Sequence, residues 1–362
     1  MISIIGAGPA GCYSAYLSAK AGKEVNIFEE HKEVGKPVQC TGIVASYLEK
    51  IIKIKKEAVV NKTDRVRIFS PNKKCIELKL KKENIILDRK KFDQYLADMA
   101  ERSGSKIFLN HKFLDYKKNI LIIKDLKNNK IKKIKTGYLV GADGPLSRVA
   151  KSCGLFSKRE FMTGLQVRVE LKNENCIEFY PFIGNFAWIV PEGDDVVRLG
   201  VASYKNVKKD FDCFLKLKKI NEKNIIEKQA GLIPVYNPKL RTQKKNVYLV
   251  GDAAAQVKAT TGGGIIQGLL GAGCLVNAIL TKKNYEGIWK GRLGRDLFLH
   301  LQMRKILDKL SNEDYNYLIS LFDKKEVKEI IEKYDRDFPS NFLLRLALKE
   351  PRLLCLSMKL FK

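Results

Sequence analysis

Two hydrophobic rhythms alternate along the chain, and each change of rhythm marks an element. A short apolar run, Ile2 to Ile5, leads into the turn Gly6 to Gly11, and Ala10 to Ala21 is a small-residue helix that Gly22 ends. Val25 to Phe28 is a second strand, finished by Glu29 and Glu30. Strand, tight turn, helix and strand make a βαβ opening.

Further along, Asp88 is placed to cap a helix from about Lys90 to Arg102, whose Phe92, Tyr95, Leu96, Met99 and Ala100 share one face before Gly104. Ile107 to Leu109, Asn119 to Ile123 and Ile131 to Ile134 are predicted as a small hairpin-like sheet around the turn Lys127 to Lys130. Tyr138 to Val140 is a strand. From Gly164 to Tyr204 the period becomes two: LQVRVEL, CIEFYPFI, FAWIVP and VVRLGVA, separated by turn residues, predict an antiparallel sheet in a second unit. Asn246 to Val250 is again a strand. The uncharged run Gly262 to Leu280 approaches the length that spans a bilayer, but its glycine-rich start, Gln267, Asn277 and its place after a strand-Gly-Asp turn fit a buried helix of an α/β unit. Beyond Lys282 the pattern is helical and basic.

With 362 residues and 45% hydrophobic content the chain can bury a substantial core in two or three units. Its eight cysteines are scattered without a C-x-x-C pair, and it has only three histidines. That argues against a zinc site and against a secreted disulfide framework, and a reducing cytoplasm with no cleavable leader is the expectation. A net charge of +28 calls for an anionic partner. The lysines are spread through Lys50 to Lys56, Lys205 to Lys228 and Lys282 to Lys290, with no arginine-rich arm and no RRM, KH or zinc-finger pattern. Specific nucleic-acid recognition is therefore not expected.

Candidate chemistry begins at GAGPAG, where Gly6, Gly8 and Gly11 have the G-x-G-x-x-G spacing. The first glycine allows a tight turn, the second lets a pyrophosphate approach the backbone, and the third packs the helix closely, its positive N-terminus facing the phosphate. Ala10 lies within this turn, and Glu29, at the end of the next strand, is placed for ribose hydroxyls. A dinucleotide is the expected ligand. Two later stretches, YLVGADGPLSRVA (138–150) and VYLVGDAAAQVKATTGGG (247–264), each put an acid after an apolar strand and before a helix.

These three ordered sites resemble the flavoprotein hydroxylase superfamily, typified by p-hydroxybenzoate hydroxylase. The resemblance implies FAD, with Asp252 on the ribityl chain and Gly262, Gly263, Gly264 and Ile265 beside the flavin N1 and O2 edge. It also implies that Arg89 reaches the cofactor and that Phe113 or its neighbours back the adenine. No second G-x-G-x-x-G unit serves a nicotinamide, so electrons are expected from a transient donor. Within the superfamily, KPVQCTG matches the P-x-x-C-x-G element of the geranylgeranyl reductase family at Pro37, Cys40 and Gly42. FAWIVPEGDDVVRLGVA is similar to that family's second element at Trp188, Pro191 and Gly200, with Phe186, Val190 and Ala202 as departures.

Several expectations follow from this resemblance. The fold is α/β (α+β): a Rossmann-like FAD-binding domain (1–60, 84–155 and 232–282), an inserted antiparallel β-sheet substrate domain (61–83 and 156–231) and a helical basic C-terminal region (283–362). Cys40, Thr41 and Gly42 border the flavin, and Cys40 helps protonate or position the alkene. Tyr180, Phe182, Phe186, Trp188, Pro191 and Gly200 line the prenyl site. The reaction is hydride transfer from reduced flavin to isolated double bonds of geranylgeranyl lipids; a flavin monooxygenase or halogenase of a small aromatic, and a non-catalytic basic flavoprotein that binds nucleic acid, are the alternatives. An acidic donor such as a ferredoxin suits the basic surface. In the tail NFLLRLALKEPRLLCLSMKLFK, Pro351 divides two short helices whose leucines are edged by lysine and arginine, and this pattern suits the inner surface of an anionic membrane.

Overall fold

The computed structural model describes residues 1–357. The βαβ opening forms as predicted, with β1 (Ile2–Ile5), α1 (Pro9–Lys20) and β2 (Val25–Phe28). β1 is the centre of a six-stranded sheet, flanked on one side by β2 and β6 (Lys106–Phe108) and on the other by β10 (Tyr138–Gly141), β17 (Val247–Leu249) and β16 (Gln243–Lys244). β1, β2, β6, β10 and β17 run parallel, and β1 and β10 are apolar runs buried on both faces. The segment around Ile107 was expected in a hairpin; it joins the parallel sheet, because a parallel edge position beside β2 was open to it.

The hairpin itself has three strands, β7 (His111–Lys117), β8 (Ile120–Asp125) and β9 (Lys130–Lys135). α2 (Arg89–Arg102) starts at Asp88, whose carboxylate accepts the backbone N–H of Lys91 at 3.0 Å. α3 (Arg148–Ser152) follows β10, and α5 (Ile265–Thr281) packs along α1 within the main core. No helix among the described residues is long and apolar enough to cross a membrane.

The second sheet has eight strands in the order β15 (Ile225–Pro234), β11 (Phe161–Glu170), β14 (Val196–Ser203), β13 (Phe186–Pro191), β12 (Cys176–Tyr180), β4 (Val59–Phe69), β5 (Cys75–Leu87) and β3 (Ile43–Ala45). Its one parallel pair joins β12 to β4. The boundaries expected at 60 and 84 cut through β4 and β5, and β3 also belongs to this sheet, because the chain crosses between the layers inside continuous strands. α4 (Val207–Leu217) covers one face through Phe211 and Phe214. The C-terminal part is helical: α6 (Tyr285–Trp289), α7 (Arg295–Leu307), α8 (Asn312–Phe322), α9 (Lys325–Lys333), α10 (Leu343–Lys349) and α11 (Arg352–Ser357). α8 and α9 set Ile319, Phe322 and Ile331 against Ile76 and Leu78 of β5. Pro351 separates α10 from α11 as expected, whereas Met358, Lys359, Phe361 and Lys362 lie outside the described residues.

Candidate active site

Gly6 and Gly11 are glycines for packing reasons. Gly6 has φ +99°, a Cβ on it would fall 2.4 Å from the carbonyl oxygen of Ala142, and one on Gly11 would fall 2.1 Å from the Gly6 oxygen. Gly8 differs: nothing lies within 4 Å of where its Cβ would be, and as N-cap of α1 it leaves the first turn without a side-chain cap. That open ground in front of unsatisfied N–H groups fits a pyrophosphate. Ala10 acts as a wedge: its Cβ is 2.8 Å from the Cβ position of Gly251 and 3.4 Å from that of Gly268. The N-terminal turns of α1 and α5 are thus pressed side by side, two positive helix ends facing one region.

Glu29 stands at the end of β2. One carboxylate oxygen accepts the Ala7 N–H at 2.7 Å, and the other accepts the His31 N–H at 2.9 Å. Phe113 does not offer a face to an adenine. It is 2% exposed, closed in a cluster with Phe28, Leu121 and Ile123, because β7 turns it under the hairpin; its neighbour Lys112 points out to Glu30 at 3.4 Å.

Asp252 lies in the short 3-10 turn after β17, and the Cβ position of Gly264 is 3.1 Å from its carboxylate. Burial pushes its carboxyl up to about 6, with Arg89 pulling the other way. Arg89 makes a two-point ion pair with Asp93, at 3.0 and 2.9 Å. Burial opposes its charge, but Asp93 and the sulfur of Cys40 hold it protonated. Arg89 is thus held by Asp93 at the start of α2, and its charge is felt by Asp252.

The turn carrying Cys40 is seated by glycines of the large sheet. Gly164 and Gly231 pair across β11 and β15, and a Cβ on Gly231 would fall 3.0 Å from the carbonyl oxygen of Gln39. Gly42 has φ +75° and lies so near the Leu87 carbonyl and Arg198 that no side chain fits there. Arg198, 7% exposed, ties the turn down: it donates to the Leu87 carbonyl at 2.9 Å and to that of Thr41, and pairs with Glu192. Cys40 Sγ accepts the Gly42 N–H at 3.3 Å.

Cys40, Thr41, Gly42, Gly262 and Gly263 open onto a cavity of about 380 Å³. Its wall is one face of the eight-stranded sheet: Val66 and Ile68, Leu78 and Leu80, Ile177 and Phe179, then Phe186, Trp188 and Val190. Of the residues expected at the prenyl site, Phe186 and Trp188 line this cavity; Tyr180, Phe182, Pro191 and Gly200 do not. Strand alternation explains Tyr180 and Pro191, because Ile177 and Phe179, and Phe186, Trp188 and Val190, take the cavity face and leave their neighbours the other. Tyr180 instead stacks on Phe69 under Phe214, and Phe182 packs towards Tyr315 of α8. Gly200 lies beneath Trp188, where a Cβ would fall 2.3 Å from the indole.

Two sets of residues escaped sequence reasoning. Gln166, 5% exposed, accepts from Thr41 Oγ1 at 2.7 Å and from Trp188 Nε1 at 2.9 Å, and donates to Gln229 at 2.6 Å. It fixes the indole and the Cys40 turn together; a polar residue in a β-period run such as LQVRVEL was the available signal. Lys258 and the segment Tyr334 to Arg336 also border the cavity, brought together from positions too distant in sequence to be linked.

Residues 1–174 match the family described as FAD binding domain. The chain is 31% identical to the digeranylgeranylglycerophospholipid reductase of Methanocaldococcus jannaschii, covering 92% of this chain and 95% of that protein. The chain belongs to the digeranylgeranylglycerophospholipid reductase family. A member from Methanothermobacter thermautotrophicus is 30% identical over 91% of this chain and 92% of its own length. The fold of the family is shared with a geranylgeranyl bacteriochlorophyll reductase-like protein of Thermoplasma acidophilum, at TM-score 0.85 and 23% identity, covering 98% and 97% of the two chains. A flavin-dependent brominase is more distant, at TM-score 0.71 and 15% identity over 97% and 98%. FAD fits this chain: open ground at Gly8 before an uncapped α1, the uncapped N-terminus of α5 packed against Ala10, and Asp252 beside Gly264 are the groups that would hold it.

Proposed function

We propose that this protein is an FAD-dependent reductase that saturates isolated double bonds in the geranylgeranyl chains of glycerol ether phospholipids. The observation that carries the reading is the apolar cavity that opens on the Cys40 turn and on the turn before α5. Bound and reduced, FAD supplies the hydride that an unactivated alkene requires. The chain's own residues do the rest. Phe179, Phe186 and Trp188 hold the prenyl chain and exclude water, and Gln166 locks the indole in the wall. Cys40 holds a proton at Sγ where turn and cavity meet, to protonate or position the alkene carbon opposite the one that takes hydride.

The purified protein should show a flavin spectrum. After anaerobic reduction with dithionite it should add hydrogen stepwise to a digeranylgeranyl ether phospholipid followed by mass spectrometry. An unchanged lipid beside a stable reduced flavin would overturn the activity. Cys40→Ala should bind FAD and lose about 10²-fold in lipid reduction, the low end for general-acid catalysis. A normal rate would remove Cys40 from the mechanism.

Two finer elements belong to the same proposal. The electron donor is an acidic protein of the ferredoxin kind, attracted by the +28 surface. The protein docks peripherally on anionic membrane through α10 and α11, where Leu344, Leu348 and Leu354 are 72%, 73% and 54% exposed among Arg345, Lys349 and Arg352. α10 packs beside α9, whose C-terminal end borders the cavity.

A further inference from the structure

A buried charge pair, one member of which lines the cavity, has no part in the chemistry described so far. Lys258, 4% exposed, lies in the turn leading into α5, and its side chain crosses Gly263: a Cβ on that glycine would fall 2.8 Å from Lys258 Cε and 3.1 Å from Nζ. The turn is closed on itself, with the Lys258 N–H donating to the Gly263 carbonyl at 3.0 Å and the Gly262 N–H to the Lys258 carbonyl at 2.9 Å. The turn that carries the lysine is thus closed just before α5, with the Lys258 side chain over Gly263.

Its partner comes from far away in the sequence. Asp337, 3% exposed, follows α9 and forms an ion pair with Lys258. The segment that brings it is anchored on both sides: Arg336 donates to Asn84 of β5, and the ring of Phe338 packs on Tyr47 at 4.6 Å. Asp335 and Arg336 are the other charged groups beside the pair, and His300 of α7 is the neutral one, its Nδ1 2.8 Å from Thr260 Oγ1. Burial and the nearby ammonium push His300 down to about 3. Burial also pushes Lys258 down. Asp337, although burial works to raise it, is held below the ordinary carboxyl range by Lys258 and Arg336.

Of the groups that would hold FAD, Asp252 lies beside Gly264, and the next residue, Gly263, carries Lys258 over it, so the ammonium would lie close to the bound cofactor. Two-electron reduction places negative charge on a flavin, and fixed charges beside the ring tune how readily that form is reached. We infer that Lys258 and Asp337 together set the reduction potential of the bound flavin, the lysine favouring the reduced form and the carboxylate from the C-terminal segment holding that effect in check. This gives the segment beyond the FAD-binding module a function inside the flavin site. It rests on the reading above only for the presence of FAD.

The test is the midpoint potential of the FAD-loaded protein, read anaerobically by spectroelectrochemistry, for the wild type, Lys258→Met, Asp337→Asn and the double variant. Lys258→Met should disfavour the reduced form at least tenfold, about 30 mV downward for a two-electron couple, and Asp337→Asn should move it upward by a similar amount. The double variant should return close to the wild type. Potentials unchanged in both single variants, or shifts of the same sign, overturn the inference. If Lys258→Met does not fold, the near-isosteric Asp337→Asn decides alone, an upward shift supporting the pair and an unchanged potential refuting it. A protein that holds FAD with these shifts yet leaves the lipid unreduced would sink the activity and not this inference.

Discussion

Gly200 shows how much of the site rests on a missing side chain. Trp188 lies flat on it, and Gly200 pairs directly with both Trp188 and Gln166 across the sheet. Gly200→Ala would put a methyl group 2.3 Å from the indole, and the ring would have to leave the wall. We expect a loss of about 1–3 kcal/mol in chemical denaturation, the usual cost of overpacking, together with weaker lipid turnover and FAD still bound. An unaffected midpoint would show that the indole has another place to go. Asp252 contributes a pH dependence that its own variant isolates. Its carboxyl is raised by burial to about 6, so the folded protein binds a proton that the unfolded chain releases near 3.8. The stability this contributes is fully present below the ordinary carboxyl value and is lost as the pH rises through about 6. Apo wild type should therefore weaken relative to Asp252→Asn between about pH 4 and pH 6 and run parallel to it above, in denaturation curves of the two proteins.

At the scale of elements, periodicity was a good guide to which elements exist and a poorer one to the faces they present. The βαβ opening, the Asp88 cap and the strands FAWIVP and VVRLGVA were legible because local pattern and tertiary role agree there. β12 was the failure: Phe179 and Tyr180 are adjacent aromatics, and which of them meets the cavity depends on where the strand enters the sheet. β6 was misplaced because three apolar residues do not say which sheet they will join. Nothing local pointed to Asp337, and for Gln166 the one signal was a polar residue inside a β-period run; the meaning of both comes from partners more than twenty residues away. The tail was legible only as a pattern. In the fold Leu346 of α10 is buried while Leu344 and Leu348 face outward, so one helix carries both a packed side and a free one. Leu344→Asp with Leu348→Asp should cut binding to anionic vesicles several-fold in a sedimentation assay. It should leave stability within about 0.5 kcal/mol, as for other exposed positions. Undiminished vesicle binding would exclude α10 as the docking face.

For the whole molecule, charge and architecture act over different distances. The residues that would hold FAD, the cavity and the C-terminal cover are held by contacts of a few ångströms, whereas the +28 charge acts on whatever approaches from solution. Screening separates the two. The Debye length is about 10 Å at 0.1 M salt and about 3 Å at 1 M, so long-range attraction fades while the buried ion pairs are little affected. If an acidic ferredoxin delivers the electrons, the second-order rate of flavin reduction by that donor should fall at least tenfold between ~0.05 M and ~0.5 M salt, since steered association is steeply salt-dependent. Under the same conditions hydrogen uptake by the lipid from the pre-reduced protein should change little, because on the proposed reading it takes place in the cavity between the sheet face and the turn before α5. Stopped-flow measurement of the two half-reactions separates them. A donor rate indifferent to salt would mean that recognition lies in short-range contacts and that the lysine-rich surface has its counterpart in the membrane instead.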